Sequence, residues 1–285
     1  ADVTRTPNRL KAALYASARN PETHPLNVRG RLHRSDKGNP HDIDGEEPWE
    51  PKHETDTDDM DRHHAPQPYG QGGPDGAGYS WIDSDESGGP AFGWVDITGV
   101  GTALGNHGDD VTTTGLAIGF PFSHYGTSFT TLNVCSNGFA SFNSTSTAYS
   151  NLALPGTGPT NLLATMLDVL DTSSGTIYTY QDVANDRFIV EWFDVPQLGG
   201  STGNTFELIL TKDGRIIYQY LSLAAPANSA TVGTQLDGSV GLQVAFNQLY
   251  LHDNLAVQLT QDAAWLSAAP TSGTIPAGGS ANLDV

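Results

Sequence analysis

Cysteine is almost missing from this chain. Cys135 is the one copy in 285 residues, so no intrachain disulfide can form and no multi-cysteine zinc or iron–sulfur site can be built. Basic residues are scarce too: 13 Lys and Arg stand against 32 Asp and Glu, a formal net charge of −19. Nucleic-acid binding needs a basic face to displace counterions, and anionic lipid attracts the same kind of surface, so neither is expected as a partner. No apolar run approaches the roughly 20 residues of a membrane helix, and membrane insertion is not expected. The recognisable catalytic patterns are missing as well: there is no HExxH, no G-x-S-x-G, no phosphate-binding G-x-x-x-x-G-K-[ST], and no His-x-Glu paired with C-x-x-C. Cys135 falls in an alternating apolar stretch, where a buried and inert thiol is expected, and no base is identified for it. The reading is of a protein that is not an enzyme.

What is present is glycine, 32 residues of it, and an uneven placement of charge. Residues 1–75 hold ten basic and fourteen acidic residues, whereas 76–285 hold three basic residues (Arg187, Lys212 and Arg215) and eighteen acidic ones. These are two kinds of polypeptide. The stretch Tyr69-Gly-Gln-Gly-Gly-Pro-Asp-Gly-Ala-Gly78 reads as a flexible joint between them. Three segments are expected: an extended acidic, His-rich arm over 1–77, a β-sandwich over 78–262, and the first strands of a further unit over 263–285. In the arm, Asn8 can cap a helix whose apolar face carries Leu10, Ala13 and Leu14, and Asn20-Pro21 stops it. Beyond it so few large apolar residues occur that the arm cannot offset its own ordering entropy.

From residue 78 onward the pattern is of strands. Phe206, Leu208 and Leu210 alternate with Thr205, Glu207, Ile209 and Thr211, a period of two. Asp213-Gly214 turns the chain and Arg215-Ile-Ile-Tyr-Gln-Tyr-Leu221 returns, the strongest hairpin signal present. Further strands are expected over 116–122, 129–135, 139–142, 162–170, 176–181, 187–195, 231–235, 241–246 and 256–260. Many short antiparallel strands with no sustained helical period predict an all-β fold, an antiparallel sandwich or jelly roll with a mostly irregular N-terminal arm.

Several short motifs in order carry a resemblance. Gly78-Tyr-Ser-Trp-Ile-Asp-Ser-Asp-Glu-Ser-Gly-Gly-Pro90, Phe92-Gly-Trp-Val-Asp-Ile97, Phe120-Pro-Phe-Ser-His-Tyr-Gly126, Val134-Cys-Ser-Asn-Gly-Phe139 and Arg187-Phe-Ile-Val-Glu-Trp192 resemble nidogen-like extracellular domains. They also resemble a module of bacterial secreted multidomain proteins, often attached to peptidases. The resemblance covers about residues 78–260 and implies a non-catalytic extracellular module. The run from Trp265 to Val285 resembles the opening of a BACON-type immunoglobulin-like repeat, of which only part is present. Lone strands are marginal in water and exposed edges invite pairing with another chain, so strand exchange between subunits is physically reasonable.

Candidate ligand sites follow from residue type and spacing. Asp83, Asp85 and Ser87, with Gly88 following, place oxygen atoms as in the first half of a calcium loop. Trp94 occupies the position where a bidentate Glu would close it, so any calcium must be completed by Asp96, Asp109 or Asp110; the bland alternative is a solvated acidic turn. Asp168 and Asp171 form a weaker pair. The arm's runs His41–Glu47 and His53–His64 offer metal-binding side chains without fixed geometry. Tyr178 and Tyr218 each share a strand face with a second tyrosine, which suits sugar stacking if the faces coincide and ordinary sheet packing if they do not. Asn143-Ser-Thr145 fits a glycosylation sequon.

Taken together these features predict a secreted protein, extracellular or at the cell surface, with its signal peptide already removed. Its expected role is structural: a self-assembling filament or surface-layer subunit, with calcium as a stabiliser, copies of itself as partners, and exchange of the arm or of strands between subunits. The alternative is a non-catalytic accessory module of a secreted hydrolase that binds surface glycans or protein.

Overall fold

The computed structural model describes residues 70–105 and 108–262. The chain separates into two units between Gln67 and Pro68, and every described residue belongs to the second. The helix expected over 8–20, the metal-binding runs of the arm and the strands expected over 263–285 lie outside the described residues.

The described chain is an all-β antiparallel sandwich. One sheet has eight strands in the order β1 (Gln71–Gly72), β2 (Tyr79–Asp83), β14 (Leu255–Gln261), β11 (Ile216–Ser222), β10 (Gly203–Thr211), β9 (Arg187–Pro196), β8 (Thr176–Asp182) and β3 (Thr102–Ala103). The other has six, in the order β13 (Gly241–Phe246), β12 (Thr231–Gln235), β7 (Leu162–Leu167), β6 (Phe139–Ser141), β5 (Thr127–Cys135) and β4 (Thr112–His124). The hairpin foreseen at Asp213-Gly214 joins β10 to β11, with Leu210 opposite Ile216 and Leu208 opposite Tyr218.

Alternation decides what fills the space between the sheets. Phe206, Leu208 and Leu210 point inward, beside Trp192, Val190 and Phe188 of β9 and Tyr220, Tyr218 and Ile216 of β11, and all belong to the main core. Three aromatic side chains also tie the sheets together by their polar tips, which burial would otherwise leave unsatisfied. Tyr218 donates its hydroxyl to the Gly233 carbonyl at 2.9 Å, Tyr220 to that of Thr165 at 2.5 Å, and the Trp192 indole to that of Cys135 at 3.0 Å.

The outer faces are not left to water. After β2, residues 84–101 form a strap that crosses the outer face of the eight-stranded sheet to reach β3 at its far edge. Gly89 lets the strap turn back tightly, because a Cβ there would stand 1.7 Å from the Asp83 carbonyl oxygen. Beneath the strap Ile97, Ile189 and Ile209 form a second small core. On the six-stranded sheet, Leu152 and Leu154 cover Phe139, Leu162 and Leu167 in a third. The other parity of β10 is therefore buried as well, and Glu207 is fully enclosed.

The joint expected over 69–78 is instead part of the sandwich from Gly70 onward. Gln71 and Gly72 pair with Ile82 and Trp81. Asp75 caps the turn by accepting hydrogen bonds from the Ala77 and Tyr79 amides, both at 2.9 Å, and from the Tyr125 hydroxyl at 2.7 Å. Glycine-rich composition signalled a bend here; the aspartate in its middle fixes that bend to the neighbouring β4–β5 turn.

Candidate functional site

The residues expected to hold calcium are distributed rather than gathered. Asp83 closes β2 and is buried. Its Oδ2 accepts the Tyr250 hydroxyl at 2.7 Å and its Oδ1 accepts the Asp85 amide at 3.0 Å. Asp85 is exposed, with Oδ2 2.9 Å from His252 Nε2. Burial lowers the proton affinity of His252, but the Asp253 carbonyl and the Asp85 carboxylate outweigh it and leave the imidazole easier to protonate than usual. Ser87 is exposed on the turn. Asp96 lies at the other end of the strap, where its Oδ1 accepts both the amide and the hydroxyl of Thr98. Asp109 forms a β-bridge with Asp171, and Asp110 accepts Asn137 Nδ2 at 2.9 Å. Among the described residues no three His, Cys, Asp or Glu side chains stand together as a metal group. Asp168, buried, accepts Ser229 Oγ at 2.8 Å and also the side-chain amide of Gln197.

The strand faces of Tyr178 and Tyr218, which would suit sugar stacking only if they coincided, do not coincide. Tyr218 is fully buried between the sheets, whereas Tyr178 lies half-buried on the outer face of the same sheet, against the core under the strap. The two tyrosines point to opposite faces, and register across intervening strands decides this. Asn143 is exposed on the loop after β6, with its Oδ1 accepting Thr160 Oγ1 at 3.0 Å. Cys135 is buried, and burial pushes its thiol above the ordinary value.

Two features were missed by the sequence reading. The first is how the strap is held. Glu191, Glu207 and Gln219 stand opposite one another on β9, β10 and β11, and each accepts a backbone amide from alternate strap residues. Gly93 donates to Gln219 Oε1 at 2.7 Å, Val95 to Glu207 Oε1 at 3.4 Å and Ile97 to Glu191 Oε2 at 3.1 Å. Gln219 Nε2 in turn donates to Glu207 Oε1 at 2.7 Å and to the Gly93 carbonyl at 3.0 Å. Two carboxylates side by side in a buried place resist ionisation. Burial, then its neighbour Glu191, pushes Glu207 up to about 8; burial pushes Glu191 up to about 7. Glu191 Oε1 and Glu207 Oε2 are buried with no hydrogen-bond partner among the described residues. The available signal was that Ile189 and Ile209 share strand parity with the two glutamates: a face carrying isoleucine is seldom a plain solvent face.

The second feature is a side cleft where the strap ends. Val100, Leu104, Leu116, Ala117, Tyr180 and Phe188 are among the residues around a space of about 470 Å³ between β3 and β8 on one wall and β4 on the other, and no charged side chain lines it. Val100 is 64% exposed at its rim. Among the described residues β4 pairs with β5 alone and β3 with β8 alone, so both walls are sheet edges. Gln181 spans the gap by donating to the Ala117 carbonyl at 2.6 Å. Among the described residues the three Lys and Arg side chains lie elsewhere, each beside an aspartate: Arg187 by Asp182, Lys212 by Asp186 and Arg215 by Asp213.

A family model described as NIDO related matches residues 89–277, which is 189 of the 285 residues. The chain belongs to the nidogen-related family. No curated protein and no solved structure matches it. The nidogen-related match opens within the strap, takes in the remaining sandwich strands and the cleft, and continues for fifteen residues past Asp262. It therefore also reaches into the segment that resembles the opening of an immunoglobulin-like repeat.

Proposed function

We propose that this nidogen-related domain belongs to an extracellular structural protein that self-assembles, with copies joining at the side cleft. The observation that carries the reading is a charge-free cleft, mostly apolar with Thr102, Thr179 and Gln181 also in its lining, bounded by two sheet edges in a domain of high negative charge. The described residues hold eighteen acidic and three basic side chains. Copies with that charge repel one another, and the cleft is where they meet with least repulsion. Apart from the Ala117 carbonyl, which Gln181 holds, the two strand edges offer main-chain donors and acceptors to a partner.

The test is sedimentation of the full chain beside Val100→Glu/Ala117→Glu, two exposed positions whose substitution leaves the core intact. Association of the wild type at physiological salt, about a hundredfold weaker in the double variant, is the expected result, since charge placed in a desolvated contact is costly. Equal association of the two proteins would remove the cleft from the mechanism. Running the same samples with a chelator asks whether calcium takes part in the assembly.

A second reading, an accessory module that binds surface glycan, draws on one observation. Phe193 is 41% exposed beside Tyr178, edge-on with ring centroids 6.4 Å apart. A glycan array in which Phe193→Ala abolishes a reproducible signal would favour it.

A further inference from the structure

Resting on the assembly reading above, we infer that the occupant of the side cleft is the charge-free segment 263–283 of a second copy of this chain, seated beside the Gln181–Ala117 hydrogen bond. Four observations converge on it. The cleft carries no charge, and residues 263–283 are 21 consecutive residues without Asp, Glu, Lys or Arg, in a chain that carries 45 of them. The segment supplies the apolar side chains such a cleft takes: Trp265, Leu266, Ile275 and Leu283. It is continuous with the unit that forms the cleft, because the family match runs through residue 277.

The fourth observation is directional. β14 ends at Gln261 between β2 and β11, and Asp262 donates its amide to the Gly78 carbonyl, so the chain departs near the β1–β2 edge of the eight-stranded sheet. The cleft lies at the opposite edge, beyond β8 and β3. Five strand spacings separate β14 from β3, about 24 Å. Within one copy the segment would spend about a third of its length spanning the sheet. Between copies it passes directly from one edge to the facing edge of the next. Such a contact is heterologous: the surface that gives differs from the surface that receives, so it propagates rather than closes.

Complementation separates this from the alternatives. Cleft variant Val100→Glu/Ala117→Glu keeps its own segment; segment variant Trp265→Glu/Ile275→Glu keeps its cleft. Each full-length variant alone should sediment as a monomer, with association at least about tenfold weaker than wild type, and each should keep the native near-ultraviolet circular dichroism. Mixed together, they should form one-to-one dimers that grow no further, because one cleft and one segment remain intact between them. If the segment variant assembles like wild type while the cleft variant does not, the segment is not the occupant although the cleft still joins copies. Variants that stay monomeric when mixed would mean that the segment fills its own cleft. A monomeric wild type would overturn both this inference and the assembly reading on which it rests.

Discussion

His124 and the pair Glu191 and Glu207 are ionisable groups that one sandwich buries in two places and treats in opposite ways. His124 lies between the sheets, against the rings of Tyr79, Tyr125 and Phe142. Both ring nitrogens are engaged, Nδ1 with Asn161 Oδ1 at 3.1 Å and Nε2 with Thr234 Oγ1 at 2.9 Å. Burial holds it neutral, with its proton affinity down to about 4. The two glutamates lie under the strap on the outer face, and each keeps one buried oxygen without a partner among the described residues. In the first region neighbouring side chains engage both polar atoms of the group; in the second, holding a proton removes the charge that burial penalises. Burial favours the neutral form in both places, and because one group is a base and the others are acids, pH acts on the two regions in opposite directions.

The signs follow from which state binds more protons. His124 titrates near 6.5 when unfolded and about 4 when folded. Between these values the unfolded chain holds the extra proton, so stability is full above about 6.5 and is lost as pH falls toward 4. The glutamates start from 4.5 and are raised to about 7 and about 8. Here the folded chain holds the extra protons, so stability is full below about 4.5 and declines as pH rises through both folded values.

The largest effect expected is from breaking the inner region. His124→Leu strands Asn161 and Thr234 in the core and should cost about 3 kcal/mol at neutral pH, lowering Tm by roughly 8 °C in a domain of this size. Thermal melts across pH should also show the acid-side slope gone. Next comes Glu207→Gln, which mimics the protonated side chain. Its Tm should rise by about 5 °C at pH 8 and stay unchanged at pH 4; an equal gain at both would show that ionisation of Glu207 is not the cause. The smallest expected effect is Lys212→Ala, since the Lys212–Asp186 pair is well exposed on both sides. A loss below about 0.5 kcal/mol in a urea titration would mark it as a bystander to both regions.

Legibility in the sequence followed the range of the interactions. Inner faces were readable because a strand's own alternation reports them: Phe206, Leu208 and Leu210, read as one parity of an alternating strand, all lie in the core. The Asp213-Gly214 hairpin was readable because its turn chemistry is local. The strap was not, because its anchors join residues far apart in the chain, Val95 to Glu207 and Ile97 to Glu191, and nothing near either glutamate names its cover. The same holds for Tyr178 and Tyr218, whose opposite faces depend on register through β9 and β10. Asp83 and Asp85 looked like half of a cation loop because residue types repeat there at calcium-like spacing. Their partners Tyr250 and His252 come from the far end of the chain.

Cys135 gives the molecule a built-in clock. Its thiol is sealed in the cover over the six-stranded sheet, and its carbonyl receives the Trp192 indole from the opposite sheet. A thiol reagent can reach it when that cover opens, so the labelling rate at limiting reagent reports how often the packing breathes. Because no second cysteine competes, a cysteine introduced at the exposed rim reacts first and alone. One protein can then report in sequence on the rim of the side cleft and on the loosening of the cover over the six-stranded sheet.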